Sequence, residues 1–241
     1  MEKTRVLILK TGTTYADIRA RFGDFEDWFI RGLAPDLDLT VVNLPEGEQP
    51  GDPTEWNGIV VTGSPAMVSD REDWSENAAA WLAKAVDAGV PVLGVCYGHQ
   101  LLAHALGGEV GYHPKGRETG TRVVELFPEA GQDPLFNSMP ERFRAQLTHK
   151  QSVLRLPPDA VLLGKSDFEP HQAFRVRECA WGVQFHPEFS DTIMRAYLEV
   201  QAPDLDREGL DAQALLDEVA PAPEASGLLQ RFSELVLKNK A

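Results

Sequence analysis

The chain has 241 residues, 43% of them hydrophobic and 25% charged, which is enough for one large soluble domain with a well-buried core. Its net charge of −14 repels phosphate backbones and argues against nucleic acid as a partner. No apolar run approaches membrane-spanning length, and the four aliphatic residues Val6 to Leu9 are too few for a signal-peptide core, so a cytoplasmic protein without membrane contact is expected.

Apolar, β-branched runs bounded by turn signals predict strands over residues 5–9, 39–44, 58–62 and 90–95. Helical periodicity between them predicts one helix over 17–32 and another over 75–88, with Trp81, Leu82, Ala85 and Val86 on one face. Near-continuous apolar strands alternating with helices predict a doubly wound α/β fold around a mostly parallel sheet. Shorter strands are expected over 121–127, 145–148, 160–164, 173–176 and 181–185, adding antiparallel strands to the same core. From about residue 190 the character changes. Helices are predicted over 192–200, 211–219 and 225–237, with breaks at Pro203 and at Pro221-Ala222-Pro223. The expected organisation is a catalytic domain over 1–190 and a helical extension, 191–241, packed on it.

Gly94-Val95-Cys96-Tyr97-Gly98-His99-Gln100 lies between the fourth strand and the helical pattern Leu101, Leu102, Ala105, Leu106. This reads as strand, sharp turn and helix with Cys96 at the apex, a nucleophile elbow carrying sulfur. Bulky residues beside the cysteine would collide with neighbouring backbone in so tight a turn, hence the glycines. A thiol is a strong nucleophile only as thiolate, and a helix N-terminus favours the anion. The other reading of Cys96, a buried structural thiol, does not explain its glycines. His186-Pro187-Glu188 follows the last predicted strand and offers an imidazole as proton shuttle and a carboxylate to orient it. His99, His104, His113, His149 and His171 are the alternative bases, with His99 and His104 better suited to packing or hydrogen bonding on the helix. Thr62-Gly63-Ser64-Pro65 after the third strand can present a backbone N–H from Gly63 or Ser64 to an oxyanion, and Tyr97 can present a second. A plain turn explains Gly-Ser-Pro equally well. The two cysteines, Cys96 and Cys179, read as reduced thiols, since a disulfide would remove the nucleophile.

Together, Gly63-Ser64-Pro65, Gly94-Val95-Cys96-Tyr97-Gly98-His99-Gln100-Leu101-Leu102-Ala103 and His186-Pro187-Glu188 resemble the class I, triad-type glutamine amidotransferase domain over most of the chain, from about Val6 to Phe189. The resemblance implies hydrolysis of the side-chain amide of glutamine through a γ-glutamyl thioester on Cys96, with His186 and Glu188 completing the triad. It implies an oxyanion site at Gly63 and a glutamine contact at Gln100. It also implies that the backbone of Thr148-His149-Lys150-Gln151 holds the amino-acid end of the substrate. Lys150 and Gln151 stand where the guanylate-synthetase branch usually has glycine and aspartate. Lys115-Gly116-Arg117-Glu118 resembles another segment of that branch, without an evident catalytic role. Tyr97 stands where intracellular-protease-type cysteine hydrolases place a histidine.

No Gly-rich phosphate loop or pyrophosphatase-like signature is present, and Gly107-Gly108 reads as a helix terminator. Two enzymes remain in view. One is a glutaminase serving a separate ATP-dependent synthetase. The other is a self-contained hydrolase of γ-glutamyl amines or peptides, which the extra C-terminal helices favour. A non-catalytic binding module would be expected to have lost Cys96, His186 or Glu188. No close-spaced His/Cys cluster suggests a metal, and the implied chemistry needs no cofactor.

Overall fold

The computed structural model describes residues 2–240. The first strand, β1 (Arg5–Lys10), alternates its side chains between two cores. Val6 and Ile8 enter one cluster, Leu7 and Leu9 the other, as the period of two requires. Two helices follow, α1 (Ala16–Phe22) and α2 (Phe25–Gly32), where the sequence predicts one. Gly23 at φ 87° ends the first helix. Asp24 starts the second through a capping box: its carboxylate accepts from the Phe25 N–H at 2.8 Å, and Asp27 accepts from the Asp24 N–H at 2.9 Å.

The chain then lays down β2 (Asp38–Asn43), β3 (Gly58–Val61), α3 (Asp73–Asp87) and β4 (Val92–Val95), and turns sharply into α4 (Tyr97–Ala105). Next come β5 (Glu109–Tyr112), β6 (Glu118–Leu126), β7 (Arg142–His149), β8 (Gln151–Arg155), β9 (Val161–Lys165), β10 (Ala173–Val176) and β11 (Ala180–Val183). Four helices close the chain: α5 (Asp191–Arg207), α6 (Ala212–Asp217), α7 (Pro223–Ser226) and α8 (Leu228–Lys240).

A nine-stranded sheet runs β2-β1-β3-β4-β11-β10-β9-β6-β7. Its first five strands pair in parallel and the rest are antiparallel. Leu82, Ala85 and Val86 of α3 and Leu101 and Leu102 of α4 cover one face. Phe29 of α2 and Leu228, Phe232 and Val236 of α8 cover the other. This is the doubly wound arrangement that the sequence predicts.

Three details differ from expectation. The separate β5–β8 ribbon was not predicted, because its alternation is short and mixed with polar residues. The strands predicted over 121–127 and 145–148 are longer, running as a register-matched pair from Glu118↔His149 to Glu125↔Arg142. Helix α5 does not stop before Pro203 but carries it inside. Its last turn is held by Leu205, fully buried in a third cluster with Tyr197 and Leu198.

The elbow forces two close approaches of backbone to backbone. A Cβ on Gly98 would lie 2.4 Å from the Val61 carbonyl oxygen of β3, and one on Gly94 would lie 2.4 Å from the Gly98 carbonyl oxygen. Both contacts are with backbone, which cannot swing aside. Gly98→Ala is expected to lower unfolding free energy by about 1–3 kcal/mol, read from the midpoint shift in urea denaturation against wild type.

Candidate active site

In the parallel half of the sheet, the loops leaving the carboxyl ends of β1, β3, β4 and β11 meet at one edge, where open α/β sheets build sites. They enclose a cavity of about 350 Å3. Cys96 enters it from the turn after β4. Its N–H donates to the Val183 carbonyl at 2.9 Å, which ties Cys96 to β11. The residue sits at φ 53°, ψ −105°, a conformation that costs on the order of 1–3 kcal/mol and clusters at functional sites. Its Sγ lies 3.7 Å from the Thr148 carbonyl oxygen.

His186 leaves the end of β11, its own N–H fixed on the Gln146 carbonyl at 2.9 Å. Its imidazole stacks on Phe189 at 4.1 Å and Phe25 at 6.4 Å between ring centroids. Nδ1 faces both oxygens of Glu188, at 3.0 and 3.1 Å. Nε2 is buried with no hydrogen-bond partner among the described residues. Burial alone would push the imidazole down. The Glu188 charge and then Cys96 overcome it, holding His186 up at about 10.

Gly63 passes against this pair. A Cβ there would lie 3.1 Å from His186 Cε1 and 3.7 Å from Cys96 Cβ. The Thr11 hydroxyl lies 2.8 Å from the Thr62 carbonyl and 3.0 Å from the Gly63 carbonyl. Each peptide is trans, so the N–H groups of Gly63 and Ser64 point away from Thr11. Tyr97 is the first residue of α4, where backbone N–H groups have no intrahelical acceptor. Its ring is buried elsewhere, with the hydroxyl 2.6 Å from Ser75 Oγ.

The four residues expected at the substrate all line the cavity. Gln100 spends its amide nitrogen on the Gln151 carbonyl at 2.8 Å and on Gln184 Oε1 at 3.0 Å, so its own carbonyl oxygen is what remains for a ligand. The His149 ring is buried between Glu118 and the Gln151 carbonyl. The Lys150 side chain turns to Glu208, 3.4 Å away, which also takes two hydrogen bonds from Arg117. The Gln151 side chain is held by Ser69.

The other histidines are placed elsewhere. His99 is fully buried against Phe174, and burial drives it down to about 3. His104 pairs with Glu76 at 3.0 Å. His113 Nε2 lies 3.0 Å from the Phe168 carbonyl, and His171 bonds the Val153 carbonyl.

Two parts of the wall escaped the sequence reading. Thr13, Thr14 and Tyr15 come from the loop after β1, and Tyr197, Gln201 and Asp204 come from α5. The first follows a predicted strand of a parallel sheet and so carried a usable signal. The α5 residues carried none, because only folding brings a helix 100 residues downstream of Cys96 over the cavity mouth. Among the described residues, no group of three or more His, Cys, Asp or Glu side chains is arranged to hold a metal ion.

The family model for class-I glutamine amidotransferases matches residues 28–201. The chain belongs to this family. A glutamine-hydrolysing GMP synthase from Aeropyrum pernix is 38% identical over 135 residues, 56% of this chain and 25% of that protein. Another from Vibrio campbellii is 34% identical over 191 residues, 78% of this chain and 33% of that protein. The chain thus spans a quarter to a third of the length of these curated relatives. Among solved structures, a glutamine amidotransferase from Thermotoga maritima superposes with a TM-score of 0.77 at 24% identity, covering 99% of this chain and 100% of that one. One from Methylobacillus flagellatus gives 0.76 at 21% identity, covering 98% and 94%. These two likenesses speak for the fold. Among the described residues, no helix is long and apolar enough to cross a membrane.

The raised His186 binds its proton more tightly folded than unfolded. Its stabilisation is therefore complete below the ordinary value of 6.5 and fades as pH rises towards about 10. Glu188→Gln removes the largest raising influence. Nitrogen NMR of labelled histidine is expected to show His186 titrating well below its wild-type position in this variant, with a flatter fall of stability above pH 7. An unmoved titration would separate Glu188 from the imidazole.

Proposed function

We propose that this member of the family hydrolyses the side-chain amide of glutamine, with Cys96 as nucleophile, His186 as proton shuttle and Glu188 as its orienting carboxylate. The observation that carries the reading is the unpartnered, buried Nε2 of His186 beside Cys96, with Nδ1 already committed to Glu188. The thiolate attacks the amide carbon, and the N–H groups of Gly63 and Tyr97 receive the oxyanion. His186 gives its Nε2 proton to the departing nitrogen, so ammonia leaves and a γ-glutamyl thioester remains. His186 then takes a proton from water, which attacks the thioester, releases glutamate and restores the thiolate. Glu188 stays ionised throughout. Gln100, His149, Lys150 and Gln151 hold the rest of the substrate. The chemistry needs no cofactor.

The relatives' name, glutamine-hydrolysing GMP synthase, supports use of the ammonia in a synthetase reaction, and we propose a separate ATP-dependent synthetase as its recipient. We place the reaction in the cytoplasm, where the free thiols Cys96 and Cys179 stay reduced. The helices of 191–241 are read as an extension of the catalytic domain rather than a second unit, since Tyr197 and Gln201 complete its cavity.

A second reading, a self-contained hydrolase of γ-glutamyl amines or peptides, is favoured by one observation. Lys150 and Arg117, both paired with Glu208, form a polar edge to the cavity where a larger conjugate would extend.

Glutamate release by the purified chain, with glutamine and γ-glutamyl peptides in parallel, tests both. Cys96→Ala is expected to abolish turnover with the fold intact, and Glu188→Gln to leave slow residual activity of roughly 1% or less of wild type. Activity surviving in Cys96→Ala would move the nucleophile elsewhere. Faster cleavage of a peptide than of glutamine would favour the second reading.

A further inference from the structure

The Lys115-Gly116-Arg117-Glu118 segment has no part in the chemistry above, yet it ends at a buried carboxylate met by three side chains. Glu118 begins β6 and stands directly across the ladder from His149, the last residue of β7. Both are buried. The hydrogen bonds around them suit a charged pair. His149 Nε2 lies 2.8 Å from Glu118 Oε1, and Nδ1 lies 2.7 Å from the Gln151 carbonyl oxygen. A neutral imidazole has one N–H, and two acceptors require two. Ser166 Oγ receives the Glu169 N–H at 3.0 Å and Gln172 Nε2 at 3.1 Å, so its own hydrogen goes to Glu118 Oε2 at 2.6 Å. Gln172 Nε2 also donates to Glu118 Oε1 at 2.8 Å. Three donors meeting Glu118 suit a carboxylate facing an imidazolium.

The pair stands behind the turn 148–151, whose four residues line the cavity and whose Thr148 carbonyl lies 3.7 Å from Cys96 Sγ. The imidazolium clamps the Gln151 carbonyl, which Gln100 Nε2 clamps from the other side at 2.8 Å. The turn is thus fixed at His149 and at the Gln151 carbonyl by buried side chains. The residues at its tip, Lys150 and Gln151, direct their own side chains to Glu208 and Ser69.

We propose that Glu118 is a positioning residue for substrate recognition: through the His149 imidazolium it fixes the 148–151 turn as the wall that grips the non-reacting, amino-acid end of the substrate beside Cys96. This rests on the glutaminase reading and adds to it a residue that touches no substrate. It also accounts for the variation at 150 and 151, since the shape of the turn is set from behind rather than by its tip. Charge state and geometry agree. Burial would lower His149, but the Glu118 hydrogen bond and charge, with smaller contributions from Cys96 and Glu169, raise it above its ordinary value.

The test compares two reagents that alkylate Cys96 in the full chain. One is a chloroketone analogue of glutamine that carries the amino-acid end, and the other is iodoacetamide, which lacks it. The ratio of their labelling rates reports recognition separately from thiol reactivity. Nitrogen NMR of labelled histidine reports the charge of His149 in the unliganded protein. In Glu118→Gln the ratio is expected to fall by about tenfold or more, with iodoacetamide labelling within about twofold of wild type and the His149 imidazolium signature lost. Ser166→Ala, a milder change that removes one hydrogen bond to Glu118, is expected to lower the ratio about two- to threefold and carries the test if the first variant does not fold. An unchanged ratio in the folded variants would overturn the proposal. So would a neutral His149 in wild type, or equal slowing of both reagents, which would mark Glu118 as general support for the fold. A wild-type chain that labels no faster with the glutamine analogue would instead remove the glutaminase reading itself.

Discussion

The close approach of the first turn of α4 to β3 is the constraint on which the site depends. It is possible only because residues 94 and 98 have no side chain. It holds Cys96 in a strained conformation at the N-terminus of a helix, between the parallel strands β3 and β11. The Cys96 N–H is spent on Val183, so the register of β11 against β4 sets where the thiol stands relative to His186, three residues further along. A shift in any of these strands would separate nucleophile from base. The elbow is a strained backbone feature, and both hydrophobic clusters pack beside it, one through Val95 and Cys96 and the other through Tyr97 and Leu101.

Electrostatics then complete the site with buried charges that are all compensated. The protein is strongly acidic, yet two histidines held above their ordinary value lie beneath its active cavity, His186 on Glu188 and His149 on Glu118. An unpaired buried charge costs several kcal/mol, so each cation is kept only because a carboxylate and further hydrogen bonds meet it. The two pairs divide the work. One leaves a ring nitrogen without a protein partner, whereas the other commits one nitrogen to the Glu118 carboxylate and one to the Gln151 backbone carbonyl.

Much of this was legible in the sequence. The glycines around Cys96 announced the elbow because steric exclusion acts between near neighbours, and the period of the apolar runs announced the parallel sheet. His186-Pro187-Glu188 was readable because the base and its carboxylate are two residues apart. Long-range features were not. The break at Gly23-Asp24 depends on a capping box that helical periodicity hides, and α5 runs past Pro203 because Leu205 gains burial there. Glu118 pairs with His149 across a ladder whose register no local pattern reveals. For the same reason the roles of Tyr197 and Gln201 in the cavity wall emerged only from the fold.

The central claim is a covalent γ-glutamyl intermediate on Cys96, and its most direct test is competition for that intermediate. With glutamine as substrate and hydroxylamine added in increasing amounts, the products are measured by mass spectrometry. The account predicts that γ-glutamyl hydroxamate replaces glutamate progressively, and that both disappear in Cys96→Ala. Glutamate as the sole product at every hydroxylamine concentration would mean that water attacks the amide directly, and would contradict the thioester.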